Sequence, residues 1–376
     1  MESLGNYQPR RGLSVPIVTV LDRDGNLIED EQRAVVRYAL QERPDGRTLG
    51  ADIVFAAGTN GEWNRINNQR RQQVCQIALE ECRAGIRPQV QMWAGITAPT
   101  RAETINNLHH SIEIGADAAV VAPLSIEDVE DPVDFVIRDV GEVFNRRARV
   151  IPIFLYDNAD IAAPGKPPHL RTRDVKRMAE LDYLRGIKVT ATKSVLGNYT
   201  RAASHFKAQG EFTIYFGNAY LIFDLFASPE GVAGWAAKAW NRYVTRNSKP
   251  AGVVAGPANA LPREWRRAWE VAQDSNSSLM ARYARVLYAL RDACEFQRNG
   301  KPYRPTVACL KAALAERGVI GCDAVARGTP ALDAEERAEF ARRVQRVFNL
   351  ASESLEAGCL SENPSSSPPL MASLNG

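Results

Sequence analysis

The sequence predicts an α/β chain folded as a closed (β/α)8 barrel, the TIM-barrel architecture, with a helical C-terminal extension. Three observations carry that expectation. Short apolar or β-branched runs recur with helical stretches between them, which is the pattern of βαβ units and a parallel sheet. Eight such runs can be counted, the number that closes a barrel. Beyond about Leu261 the strand signal stops and the pattern reads as wholly helical to Phe348.

In order, the expected strands cover residues 15–21, 53–57, 90–94, 118–122, 150–156, 184–189, 213–216 and 231–235, each a run of mostly Val, Ile, Leu, Ala or aromatic residues. Between them, helices are expected over 30–42, 68–84, 100–114, 131–145, 172–181, 195–208 and 219–226. In the extension, Trp265, Trp269, Val271, Leu279, Tyr283, Val286, Leu287 and Leu290 recur at spacings near three and four, an apolar stripe that suits core packing better than a cofactor site. The closing Asn-Pro-Ser-Ser-Ser-Pro-Pro stretch is too polar and proline-rich to order itself. The expected organisation is an N-terminal segment (1–13), a barrel (14–260), a helical extension (261–357) and a disordered tail (358–376).

Composition narrows the function. The chain has 376 residues, 45% of them hydrophobic and 24% charged, enough for a substantial core. Its 47 basic and 44 acidic residues are well mixed and leave a net charge of only +3, so no broad cationic field points to nucleic acid. Residues 1–12 lack the apolar run of a secretory signal, and no later run approaches the ~18 apolar residues of a membrane span. A cytoplasmic location without a membrane partner is the expectation. The six cysteines show no CxxC spacing and read as reduced thiols. His109, His110, His169 and His205 form no HxH or HExxH set, so no metal is expected.

Catalytic groups of a barrel sit where the strands end. There the chain places a lone lysine, Lys188, in the apolar segment Leu184-Arg185-Gly186-Ile187-Lys188-Val189-Thr190. About one βα unit upstream lies Ile151-Pro152-Ile153-Phe154-Leu155-Tyr156-Asp157-Asn158. If the two segments are neighbouring parallel strands, Tyr156 and Lys188 finish on the same rim. An amine among apolar groups has its charged form disfavoured and is a nucleophile nearer neutral pH, and a phenol beside it can relay protons. The second strand ends in Gly58-Thr59-Asn60-Gly61-Glu62-Trp63, a tight turn whose N–H groups can converge on a small carboxylate.

With these motifs in this order, joined by Phe216-Gly217-Asn218 and by Gly231-Val232-Ala233-Gly234, the chain resembles the dihydrodipicolinate synthase and N-acetylneuraminate lyase family of class I aldolases over about residues 14–241. The resemblance implies a barrel with C-terminal helices, assembled as a homo-oligomer (a tetramer or dimer), that acts on pyruvate or another 2-keto acid and needs no cofactor beyond an imine with Lys188. It further implies that Tyr156 shuttles protons, that Gly58, Thr59 and Asn60 form the turn gripping the substrate carboxylate, and that Gly217 and Asn218 line the pocket near the imine. Thr190 matches a threonine two residues past the lysine in neuraminate lyases, which leans toward a hydroxylated substrate.

Departures from the pattern limit the reading. The synthases carry a proline and two tyrosines after strand four, where this chain has Pro123-Leu124-Ser125-Ile126, so the phenol that a neighbouring subunit lends to the relay is missing. They also carry an arginine five residues after the catalytic tyrosine, and Ile161 stands there. Dihydrodipicolinate synthesis is therefore not expected. The loop from Ala159 to His169 is long and rich in Pro and Gly, and Lys166, His169, Arg171 and Arg173 around it can either meet an anionic substrate or stay solvated. Three readings follow: a Schiff-base lyase or aldolase on a pyruvate-type or deoxy sugar acid, a keto-deoxy sugar acid dehydratase using the same imine, and a catalytically weak barrel that binds a keto acid.

Overall fold

The computed structural model describes residues 4, 7–41, 49–84, 90–147, 149–206, 211–226, 234–236, 239, 250–273 and 277–361. Eight parallel strands close a barrel in sequence order: β1 (Gly12–Pro16), β2 (Ile53–Ala56), β3 (Gln91–Gly95), β4 (Ala118–Val121), β5 (Ile153–Asn158), β6 (Leu184–Thr190), β7 (Thr213–Phe216) and β8 (Gly252–Val254). Closure comes from β8 lying beside β1, with Gly12, Leu13 and Ser14 opposite Gly252, Val253 and Val254. Asn259 then ties the two ends, accepting from Val18 N and donating to the Pro16 and Gly256 carbonyls.

Two cores follow from the period-two alternation of the strands. One set of side chains, including Ile53, Phe55, Trp93, Val120, Phe154, Tyr156, Tyr215 and Val254, fills the barrel. Trp93 stacks on Phe154 at 4.1 Å between centroids and meets Tyr215 edge-on at 4.9 Å. The alternate set, with Val54, Leu155, Ile187, Val189 and Val253, packs under the helices. Helices Asn68–Ala84 and Arg101–Ile114 lie where the apolar periodicity put them, the second capped by Thr100, whose side chain accepts from Glu103 N.

Three sequence expectations need correction. The eighth strand is Gly252–Val254, not 231–235; Gly234 and Trp235 are helical, Trp235 is 72% exposed, and Gly231, Val232 and Ala233 lie outside the described residues. A three-residue strand between Pro250 and Gly256-Pro257 is too short to stand out by periodicity. The first strand sits earlier than 15–21, because Gly12, in a left-handed conformation with φ 132°, starts pairing with β8. The C-terminal extension is also not wholly helical. Between helices Ser277–Ala293 and Thr306–Glu316 it forms an antiparallel hairpin of β9 (Phe296–Arg298) and β10 (Lys301–Tyr303), turned by Asn299 and Gly300 at φ 54° and 69°. Asn-Gly is the dipeptide that such a two-residue turn favours.

The Trp and Tyr stripe of the extension is core. Trp265, Trp269, Tyr283, Val286, Leu287 and Leu290 are buried, and Trp265 meets Tyr220 edge-on at 5.6 Å. The last helix runs Ala334–Ser361, through the first residues of the expected tail; residues 362–376 lie outside the described set. Among the described residues, no helix is long and apolar enough to cross a membrane.

Candidate active site

Tyr156 and Lys188 are direct register partners across β5 and β6. Opposed residues of a parallel pair point the same way, so both side chains enter the barrel near the strand ends. Each is 5% exposed. The Lys188 ammonium nitrogen lies 3.6 Å from the centroid of the Tyr156 ring and 5.1 Å from that of Phe55. Burial pushes the Lys188 amine below its ordinary value, and the Tyr156 oxygen offsets part of that. Burial raises the Tyr156 phenol, but the Lys188 charge, the Thr59 hydrogen bond and the nearby Thr190 hydroxyl outweigh it and leave the phenol below its usual range. Both the amine and the phenol therefore give up a proton more readily than they would in water.

The turn after β2 reaches the same spot. Thr59 Oγ1 is 3.1 Å from the Tyr156 hydroxyl, and the Glu62 N–H closes back on the Thr59 carbonyl at 3.0 Å. Gly58 is required here, since a Cβ would stand 2.8 Å from the Phe55 ring. Asn60 packs against Gly256 at the end of β8, so closely that any side chain at Gly256 would displace its amide. The turn is held from below by Thr19 Oγ1, which donates to the Gly61 carbonyl at 2.8 Å, and by Arg71, which donates to the Trp63 and Ile66 carbonyls, both at 2.8 Å.

Gly217 at the end of β7 closes the third side. A Cβ there would collide with the Thr190 hydroxyl and stand 3.2 Å from Lys188 Cε, so the absence of a side chain makes the space around the amine. Thr190 stands near enough to the Tyr156 hydroxyl to help hold the phenol below its ordinary value. Asn218 follows but is exposed, its carbonyl accepting from Leu221 N in a 3-10 turn. The structure therefore gathers Gly58, Thr59, Tyr156, Lys188, Thr190 and Gly217 around one point, sets Asn60 beside it against Gly256, and leaves Asn218 on the rim.

Residues not singled out by sequence reasoning complete the surroundings. Asn158, the last residue of β5, donates Nδ2–H to the Tyr156 hydroxyl at 3.3 Å. Glu62 turns into the protein and pairs with Lys311 of the helix Thr306–Glu316 at 2.6 Å, both side chains essentially without solvent. The Lys311 partnership links positions 249 apart in the chain, a separation that no local pattern reveals.

The loop 159–171 lies over the segment after β4, where Ala163 N donates to the Leu124 carbonyl and Lys166 Nζ to the Val129 carbonyl. Its end is anchored by Asp157, fully buried on the outer face of β5, which accepts from Leu170 N at 2.9 Å and meets His169 Nδ1 at 2.7 Å. Arg171 folds back on Asp174, and Arg173 lies 3.8 Å from the same carboxylate. The four basic side chains weighed as anion contacts thus have partners within the loop and its neighbours. Ser125 is buried, its N–H donating to the Ala122 carbonyl. Among the described residues, no group of three or more His, Cys, Asp or Glu is arranged to hold a metal ion.

Residues 9–127 match the sequence pattern of the dihydrodipicolinate synthetase family. An uncharacterised DapA-like lyase of Halobacterium salinarum is 27% identical over 180 residues, which are 47% of this chain and 52% of that one. A probable 2-dehydro-3-deoxy-D-pentonate aldolase of Escherichia coli is 24% identical over 170 residues, 43% and 49% of the two chains. The chain spans about half the length of the curated relatives it matches. In fold it is similar to YagE of Escherichia coli K12, a prophage protein of the dihydrodipicolinic acid synthase family solved with pyruvate, at TM-score 0.68 and 19% identity, covering 90% of this chain and 98% of that one.

Proposed function

We propose, for a chain whose residues 9–127 match the dihydrodipicolinate synthetase family, that it is a metal-independent Schiff-base lyase or aldolase acting on a 2-keto acid, with Lys188 as the imine-forming nucleophile and Tyr156 as the proton carrier. The observation that carries this reading is the buried Lys188–Tyr156 pair, register partners on adjacent strands with the amine 3.6 Å from the phenol ring. Burial favours the neutral amine that must attack, and the phenol stands where an oxygen must gain and lose a proton.

In the proposed reaction the Lys188 amine adds to the keto carbon, and Tyr156 protonates the resulting hydroxyl as it leaves as water. The iminium then draws electrons from the adjacent carbon. When the carbon–carbon bond beyond it breaks, the pair flows into the imine to give an enamine, and the substrate hydroxyl proton passes to Tyr156 as an aldehyde departs. Protonation of the enamine and hydrolysis return the short keto acid and free Lys188. Thr59 and Asn60, in the turn after β2, would hold the substrate carboxylate through the turn's N–H groups. The Thr190 hydroxyl beside Gly217 favours a hydroxylated substrate, in keeping with the pentonate-type aldolase among the relatives. Ile161, in place of an arginine, and a loop whose bases bind locally argue against a substrate with a second carboxylate at that position.

A second reading, a keto-acid-binding barrel of little catalytic power, is motivated by Ser125 standing where a relay phenol is expected. Borohydride reduction separates the two. Intact-protein mass is measured after reduction with pyruvate and with a panel of deoxy sugar acids, alongside Lys188→Ala. An adduct that depends on Lys188 and turnover that disappears in the variant support the lyase; no adduct with any of these acids overturns it.

A further inference from the structure

We infer that Asn158 is a positioning residue of the proton relay, giving the Tyr156 hydroxyl a hydrogen bond from the end of its own strand. Two residues after Tyr156 on β5, it faces the same side of the strand and is 9% exposed. Its amide has one available orientation. Oδ1 accepts from Asp160 N at 3.2 Å, which leaves Nδ2–H to donate to the Tyr156 hydroxyl at 3.3 Å.

That orientation decides which way the relay runs. An amide whose carbonyl is already engaged offers the phenol only a donor, so the phenol hydrogen cannot point to Asn158. It points instead toward Thr59 Oγ1 at 3.1 Å or toward the Lys188 side, where the proposed substrate oxygens lie. A donor to the phenol oxygen also favours the phenolate left after each proton transfer. Lys188 is the titratable group that faces Tyr156 here, while Thr59, Thr190 and Asn158 are neutral.

The segment after β4 is engaged elsewhere. Ser125 N–H donates to the Ala122 carbonyl, and the Leu124 carbonyl accepts from Ala163 N in the loop after β5. The catalytic meaning of this assignment rests on the Schiff-base reading, but the hydrogen bond is measurable without turnover.

The test is an NMR titration of ring-labelled tyrosine in the native protein, Asn158→Asp and Asn158→Leu, with Tyr156→Phe to assign the resonance. Asn158→Asp keeps an oxygen for Asp160 N and loses only the donor, so it holds the loop if the leucine variant does not fold. The Tyr156 titration is expected to move up by roughly one unit in Asn158→Leu and further in Asn158→Asp, where a carboxylate adds like-charge repulsion. The high-pH fall of kcat/KM moves with it, on the 2-keto acid best trapped by borohydride. An unmoved phenol titration in the folded variants overturns the assignment, even if activity falls. If the native protein traps no 2-keto acid, the Schiff-base reading fails and the phenol titration still decides the role of Asn158.

Discussion

Replacing Lys311 by Met tests how the C-terminal extension holds the candidate site. Lys311 is 0% exposed and its ammonium reaches Glu62 Oε2 at 2.6 Å and the Ala324 carbonyl at 2.7 Å; Glu62 Oε1 accepts from Ala326 N at 2.7 Å. Methionine fills most of the lysine stem's volume, so little cavity forms and the loss is electrostatic. It strands a carboxylate in a site with one N–H partner, a change that costs about 3–5 kcal/mol when one member of a buried pair is removed. For a chain of this size that corresponds to a fall in Tm on the order of 4–6 °C, read by calorimetry or circular dichroism. The double variant Glu62→Gln with Lys311→Met removes the stranded charge and should recover a substantial part of the loss. Because Glu62 closes the turn that carries Thr59, the single variant should also raise KM for the keto acid more than it lowers kcat. A Lys311→Met protein within about 1 kcal/mol of the native one, or a double variant no better than the single, would refute the reasoning.

Three further outcomes are expected. Tyr156→Phe should slow turnover by about 10²–10⁴-fold while borohydride still traps some imine, and unchanged turnover would assign the proton to another group. Gly217→Ala drives a methyl into the Thr190 hydroxyl and against Lys188 Cε, so adduct formation should fall sharply with little change in Tm; full adduct yield would show that Gly217 does not shape the pocket. Burial holds the Lys188 amine below the ordinary lysine value of 10.5, so its neutral form persists below that pH and adduct yield drops as pH falls through the lowered value. The unfolded chain binds that proton more readily, so native stability rises with pH up to about 10.5. Lys188→Met should therefore raise Tm at pH 7 and lose that advantage above pH ~10.5, and a lower Tm at pH 7 would contradict it.

Much of this architecture is legible in the sequence because each signal is local. The β5 and β6 segments are apolar runs with Tyr156 and Lys188 at matched distances from their ends, and strands laid down in sequence order make them neighbours. Glycine marks the turn at 58–61 because only glycine leaves room beside Phe55. The eighth strand escapes because three residues show no period, and the 296–303 hairpin escapes because helical spacing on both sides hides an Asn-Gly turn. Lys311 escapes for a different reason: within its helix it looks like a solvated lysine, and its burial is set by Glu62 and by the 324–326 segment, which meet it only in the folded chain. Asn158 is visible as a polar strand end, but the direction of its amide depends on Asp160 N, a backbone group that carries no sequence signal.

The turn after β2 explains why so many groups gather beneath it. Ala57 and Glu62, which bracket it, both take left-handed backbone angles, φ 53° and 57°. For residues with a Cβ each such angle costs roughly 1–2 kcal/mol. Neither residue type invites the conformation, so the surroundings must impose it. Thr19 holds Gly61, Arg71 holds Trp63 and Ile66, and the Glu62 carboxylate is drawn away from the substrate side to Lys311 and Ala326 N. Turning Glu62 inward has a chemical consequence. A carboxylate left facing the barrel mouth would repel the carboxylate of a keto acid and, at the phenol, stabilise the protonated form of Tyr156. With Glu62 paired to Lys311, the turn meets Tyr156 through the Thr59 hydroxyl and brings no negative charge of its own. The buried ion pair and the strained turn are thus parts of one arrangement, in which the extension removes a charge that the barrel mouth cannot hold.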